Sequence, residues 1–235
     1  MSIDRLILIR HGQTHANVAK QLDTALPGSP LTDEGIAQAR RLGRVLLPSI
    51  DSLNDVVTSH ALRARQTGVG AVAGLHHLVG PGVRIRHEDG LHEIAAGDLE
   101  GRNDMDAHRI YSETFYNWAK GGLDARIPGG ETGEEILDRY LGRLRHLMAE
   151  TPAGSEKTTL AVVSHGAVIR LIAGYLSGND AEYVLTNRLA NTARIVLEKA
   201  GLTGAEPFGD FTGAASWDVR EWGTTDGQIP VIGLG

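Results

Sequence analysis

The chain has 235 residues, with 41% hydrophobic and 22% charged residues, which is the composition of a folded globular protein of one ordinary domain. Its formal net charge of −6 and isoelectric point near 5.9 argue against an overall basic nucleic-acid surface. It contains no cysteine, so disulfide scaffolds, thiolate metal sites and thiol catalysis are excluded. No apolar run approaches the roughly 20 residues that span a bilayer, and the first residues show no secretory pattern. The expectation is a cytoplasmic protein without a membrane partner.

Leu6-Ile7-Leu8-Ile9 is short, continuously apolar and rich in β-branched residues, so it predicts a strand buried on both faces. Thr32 is a candidate N-cap, with Asp33 and Glu34 in the first turn, and Ile36, Ala39, Leu42, Leu46 and Leu47 then recur on one helical face. Asp55–Thr58 predicts a second buried strand, with Ser59 as N-cap of the helix behind it. Val83–Arg86 alternates and predicts a strand nearer an edge.

The polar and aromatic stretch 102–130 interrupts the rhythm and reads as a helical insertion or lid over the active edge. Thr132 and Glu135 have capping-box spacing, and Ile136, Leu137, Tyr140, Leu141, Leu144, Leu147 and Met148 form an apolar stripe behind them. Thr159–Val163 predicts a third buried strand. Val168–Leu176 predicts a buried helix stopped by Gly178, and Thr192–Leu197 an alternating strand. Residues 201–235 are rich in Gly, Thr and Asp, with Trp217 and Trp222 as the large anchors, and read as a loosely packed C-terminal extension. Strands alternating with helices imply an α/β fold: a three-layer sandwich with a mixed, mainly parallel sheet.

Arg10-His11-Gly12 stands where the first buried strand stops, and Ser164-His165-Gly166 stands at the matching end of another. Ligands of open α/β sheets bind beyond the carboxyl ends of strands, so His11 and His165 are expected to converge there. His11 and His15 have i, i+4 spacing, but Gly12 beside a strand end argues against a helix through His11, and no metal site is expected. His76 and His77 read as a helix end or loop.

Four ordered segments resemble the histidine phosphatase superfamily, also called phosphoglycerate mutase-like. They are Leu8-Ile9-Arg10-His11-Gly12-Gln13-Thr14 with Asn17 following, Thr58-Ser59-His60-Ala61-Leu62-Arg63-Ala64-Arg65-Gln66-Thr67, Leu91-His92-Glu93-Ile94 through Gly97-Asp98-Leu99-Glu100-Gly101, and Val163-Ser164-His165-Gly166. The smaller Gly129-Gly130-Glu131-Thr132 element fits as well. The resemblance implies that His11 is the nucleophile of a phosphohistidine intermediate, with Arg10, Arg63 and His165 around the transferring group and Asn17 donating to it. Gly12 is expected to let the backbone approach the histidine and the phosphate closely.

Glu93 is implied as the proton donor, held protonated by burial, with Glu88, Asp89 and Glu100 as neighbouring carboxylates and helix capping as the plainer role. Arg65 is expected to be solvated. The implied partner is a small-molecule phosphate monoester, with no cofactor. The segment 101–108 lacks the Leu-Asn-Lys stretch of bisphosphoglycerate-dependent mutases, and the chain lacks their Arg-His-Tyr-Gly-type segment, which favours hydrolysis over mutase transfer or over a phosphate-binding module. The lid offers Arg102, His108, Arg109, Tyr111, Tyr116, Trp118, Lys120 and Arg126 for the leaving group. Substrate identity and oligomeric state are not legible.

Overall fold

The computed structural model describes residues 3–151, 158–200 and 217–224. Six strands form one sheet: β1 (Arg5–Arg10), β2 (Leu53–Ser59), β3 (Arg84–Glu88), β4 (Thr159–Ser164), β5 (Arg194–Lys199) and β6 (Trp217–Thr224), in the order β3-β2-β4-β1-β5-β6. The pairs β3/β2, β2/β4 and β4/β1 are parallel, whereas β1/β5 and β5/β6 are antiparallel. The mixed, mainly parallel sheet expected from sequence is therefore observed, and β3 is an edge strand as its alternation predicted.

The apolar runs are buried on both faces because the sheet has a core on each side. Leu6 and Leu8 of β1 join one cluster, and Ile7 and Ile9 join the other. In β4, Leu160 and Val162 point one way and Ala161 and Val163 the other. The strand period of two places successive side chains in opposite layers. Helices α2 (Asp33–Leu46) and α3 (Leu62–Val79) cover the face reached by Ile7 and Ile9. The other face is covered by α4 (Met105–Ala119), α5 (Gly133–Ala149), α6 (Gly166–Ser177) and α7 (Ala181–Thr186). A short α1 (His15–Val18) follows β1.

Local signals set most boundaries. Thr32 Oγ1 accepts from Gly35 N, and Thr132 with Glu135 closes a reciprocal capping box. Gly178 ends α6 with a left-handed φ of 69°. Ile36, expected on the buried face of α2, is exposed. Ser59 is not an N-cap. It ends β2, and α3 starts after Ala61; its hydroxyl accepts from Ala61 N just ahead of the helix and also makes a long-range contact described below.

The reading of 201–235 as loosely packed does not hold within 217–224. Those residues form the edge strand β6, where Trp217 and Trp222 are buried in the core and Trp222 stacks edge-on to Tyr183 at 5.2 Å. The two indoles anchor a strand whose remaining residues give little sequence signal. Residues 201–216 and 225–235 lie outside the described residues. No helix among the described residues is long and apolar enough to cross a membrane. Replacing Trp217 by Ala leaves a cavity the size of an indole, and the expected loss is about 3–5 kcal/mol. A urea titration would show this as a lower midpoint with an unchanged m value.

Candidate active site

The carboxyl ends of the four parallel strands deliver four polar segments to one edge of the sheet. His11 follows β1, Ser59 ends β2 with Arg63 in the first turn of α3, Glu93 lies beyond β3, and His165 follows β4. Together with α1 and the loop that follows it, α4 and the loop after α7, they surround a cavity of about 320 Å³. That volume suits a small ligand. Arg10, His11, Asn17, Asp23, Arg63, Glu93, Arg170 and Arg188 are among its lining residues. Four arginines thus face two carboxylates, and the local charge is positive in a chain that is acidic overall.

His11 is 4% exposed. Its Nδ1 lies 2.7 Å from the carbonyl oxygen of Gly12. A carbonyl only accepts, so Nδ1 carries the proton and Nε2 keeps its lone pair. Burial, then Arg63 and Arg10, hold the imidazole well below its usual value, and it is neutral near pH 7. The backbone is pinned from several sides. His11 N donates to Ser164 O, Asn191 Nδ2 donates to His11 O, and Thr192 N donates to Arg10 O and His11 O. Thr192 adopts a left-handed φ of 61° in making these bonds.

Gly12 serves packing rather than the cavity. A Cβ there would stand 2.7 Å from the carbonyl oxygen of Gly35 in the first turn of α2. Its N–H donates to Thr67 Oγ1, which in turn donates to Arg63 O.

Arg10 donates through one terminal nitrogen to Leu189 O at 2.6 Å, while its Nε is buried with no hydrogen-bond partner among the described residues. Arg63 is 2% exposed and reaches Asp23 Oδ2 at 3.4 Å. Burial lowers both guanidiniums from the usual value, opposed by Glu93 at Arg10 and first by Asp23 at Arg63, and both stay charged. Asn17 Oδ1 accepts from Thr14 N and Asn191 Nδ2. Those donors fix the amide orientation and leave Nδ2 available on the cavity side.

His165 is brought beside His11, with ring centroids 5.3 Å apart, but it does not line the cavity. It is fully buried; its Nδ1 accepts from Arg63 Nε at 3.1 Å, and its Nε2 donates to Ser59 Oγ at 2.8 Å. In this arrangement its ring holds Arg63, which lines the cavity. Burial first, then Arg63, keep this imidazole well below its usual value.

Glu93 differs from expectation in its surroundings. It is half-buried, and its oxygens accept from Ile94 N, Val168 N and Ala167 N. It therefore caps the N-terminus of α6 from outside, where donors are unpaired and the dipole favours an acceptor. The capping role and a place in the cavity wall coexist in one side chain. Glu100 is committed to Thr24 and Ala25, and Glu88 to Arg86 and Arg143. Asp89 makes a 3.4 Å contact to His60. Arg65, expected to be solvated, is exposed and does not line this cavity.

Of the lid candidates, His108 and Tyr111 reach the cavity. Tyr111 donates to Ile94 O, and burial raises its phenol well above the usual value. Trp118 is a core residue, whereas Arg102, Arg109 and Arg126 pair with Asp104, Glu113 and Glu135. Lys120 sits over the Tyr116 ring. Sequence reasoning missed Asp23, Ser59 in its observed role, Thr67, Arg170, Arg188 and Asn191. Only Ser59 and Thr67 lay inside a motif segment; the others had no local signal. His15 begins α1 and His11 lies outside it, so the two never share a helix.

The chain is similar to known proteins over most of its length. The chain is 30% identical over 195 residues to a 2,3-bisphosphoglycerate-dependent phosphoglycerate mutase of Azorhizobium caulinodans, covering 83% of this chain and 92% of the relative. A mycobacterial glucosyl-3-phosphoglycerate phosphatase, solved with VO3, superposes with a TM-score of 0.71 at 21% identity, over 94% of this chain and 100% of that one. A putative alpha-ribazole-5'-P phosphatase from Escherichia coli gives 0.66 at 25% identity, over 94% and 97%. The sequence profile of the histidine phosphatase superfamily (branch 1) matches residues 6–203, and the chain belongs to that superfamily.

Proposed function

We propose that the chain is a phosphomonoesterase that forms a phosphohistidine on His11. The observation that carries this reading is the state of His11: a neutral ring with Nδ1 tied to Gly12 O and Nε2 unprotonated, beside a buried Arg10 Nε that has no partner among the described residues. A lone-pair nitrogen in a positive pocket is suited to attack a phosphate monoester. In the first half, His11 Nε2 bonds to phosphorus and the ester P–O bond breaks. Arg10 and Arg63 balance charge on the equatorial oxygens, with Asn17 Nδ2 donating to one of them. His165 is a positioning residue that holds Arg63 Nε. In the second half, water attacks phosphorus while Glu93 takes its proton, the P–N bond breaks, and phosphate leaves with that proton.

The departing alkoxide needs a proton, and we assign its delivery to Glu93, whose carboxylate takes the proton of the bound monoester monoanion and passes it to the ester oxygen as the P–O bond breaks. Its carboxyl is fixed by the turn that follows His165 and Gly166, and it lines the cavity with His11. Asp23, the other carboxylate in the wall, is engaged by Arg63 and Ser29. The mutase alternative has support in the names of the curated relatives. Hydrolysis is favoured because the segment 101–108 lacks the Leu-Asn-Lys stretch described above.

Wild-type protein is expected to release phosphate from p-nitrophenyl phosphate near pH 6, to keep that activity in chelator, and to be inhibited by vanadate. His11→Ala should lose it entirely, and equal turnover by the two proteins would refute the nucleophile. Incubation with 3-phosphoglycerate and 2,3-bisphosphoglycerate tests the alternative: rapid 2-phosphoglycerate formation without phosphate release would make the enzyme a mutase.

Glu93→Gln should lower kcat on glycerol phosphate by about 10²–10⁴ and on p-nitrophenyl phosphate far less, because p-nitrophenolate leaves without a proton. If Asp23→Asn shows that leaving-group dependence instead, the acid is Asp23.

Burial of His11 and His165 also has a pH signature. Both native values lie below the usual 6.5, so between the two the unfolded chain binds more protons and stability falls as pH drops below about 6.5. The slope should reach up to about 1.4 kcal/mol per pH unit for each ring. Urea midpoints measured from pH 7.5 down to pH 5.5 are expected to fall less steeply for His11→Gln than for wild type.

A further inference from the structure

One cation in the cavity wall has no role in the chemistry proposed above. Arg188 lines the cavity that holds His11, its side chain is exposed, and it makes no ion pair or side-chain hydrogen bond with any described residue. The other guanidiniums are committed. Arg10 holds Leu189 O, Arg63 holds His165 and Asp23, and Arg170 donates to Gly166 O and Val184 O with its plane over Phe115.

The backbone that carries Arg188 is fixed relative to the nucleophile. Leu189 O accepts from Arg10, Asn191 donates to His11 O, and Thr192 N donates to Arg10 O and His11 O. On the other side, Asn187 O accepts from the Trp222 indole. An uncommitted charge on a clamped loop is therefore held at the rim of the phosphoryl pocket. The charged groups that share this wall are Arg170, Arg10, Arg63, Glu93 and Asp23.

We propose that Arg188 is a specificity-determining residue that receives a second anionic group on the leaving group, so that the substrates are monoesters bearing a further carboxylate or phosphate. The proposal rests on the phosphatase reading above. A guanidinium fork matches either anion, and the two are separated by experiment.

The test compares kcat/KM within two matched pairs, 3-phosphoglycerate against glycerol 3-phosphate and fructose 1,6-bisphosphate against fructose 1-phosphate, for wild type, Arg188→Gln and Arg188→Lys. Wild type should favour the more highly charged member of at least one pair by about tenfold, the size of one charge-assisted contact. The pair that responds identifies carboxylate or phosphate as the second anion. Arg188→Gln should bring that ratio near one through KM, while Arg188→Lys keeps most of it, and added salt should reduce it in wild type. Equal rates within both pairs, or an unchanged ratio in Arg188→Gln, overturn the proposal alone. No turnover of these esters or of p-nitrophenyl phosphate by wild type overturns the phosphatase reading and the proposal with it.

Discussion

The hydrogen bond from His11 Nδ1 to the carbonyl of Gly12 fixes everything that the site can do. It selects one tautomer, turns the free nitrogen toward the cavity wall, and does so within a single residue of chain. An imidazole held by its own neighbour does not depend on a distant carboxylate to orient it. The demand it places on the fold is different: the ring must stay neutral while arginines crowd it. Burial and the nearby Arg63 and Arg10 meet that demand together, since each disfavours a second positive charge on the imidazole.

That arrangement has a cost, which is repulsion among buried cations, and the sheet topology supplies the relief. Adjacent parallel strands end side by side, so a loop beyond β3 can bring Glu93 to the start of α6, directly after His165. Its carboxylate completes the first turn of that helix and balances Arg10 electrostatically. Asp23 does the same for Arg63 from the opposite wall. Each carboxylate is fixed by backbone N–H donors, at Ile94, Ala167 and Val168 for Glu93 and at Ser29 for Asp23. The negative charges are therefore as preorganised as the positive ones, which is the property electrostatic catalysis needs.

Much of this was legible in the sequence because it depends on local pattern. Buried strands show as apolar runs, Thr32 and Thr132 cap helices through contacts three residues away, and Arg10-His11-Gly12 announces a strand end. What was not legible depends on distance in the chain. Ser59 accepts from Ala61 N at the approach to α3, as its local pattern suggests, but nothing local shows that His165, 106 positions later, also bonds its hydroxyl. Asn191 has no motif around it, yet it holds His11 O and Asn17. Gly12 was read as room for phosphate, whereas the carbonyl of Gly35 occupies the space. β6 was undervalued because its burial comes from two indoles rather than from an apolar period.

The same distinction separates chemistry from selectivity in this fold. The groups we propose for the phosphoryl unit, His11, Arg10 and Arg63 first among them, sit within or just after strand ends, so the sheet determines their positions. The other lining residues on α4 and on the loop after α7 lie on segments that the sheet does not constrain. That loop is nevertheless tied at both ends, to Arg10 through Leu189 and to Trp222 through Asn187. β6 thus steadies the part of the wall that carries Arg188 and Leu189. A change in β6 can alter which ester is accepted without touching the histidine, because Trp222 meets Asn187 and not the pocket.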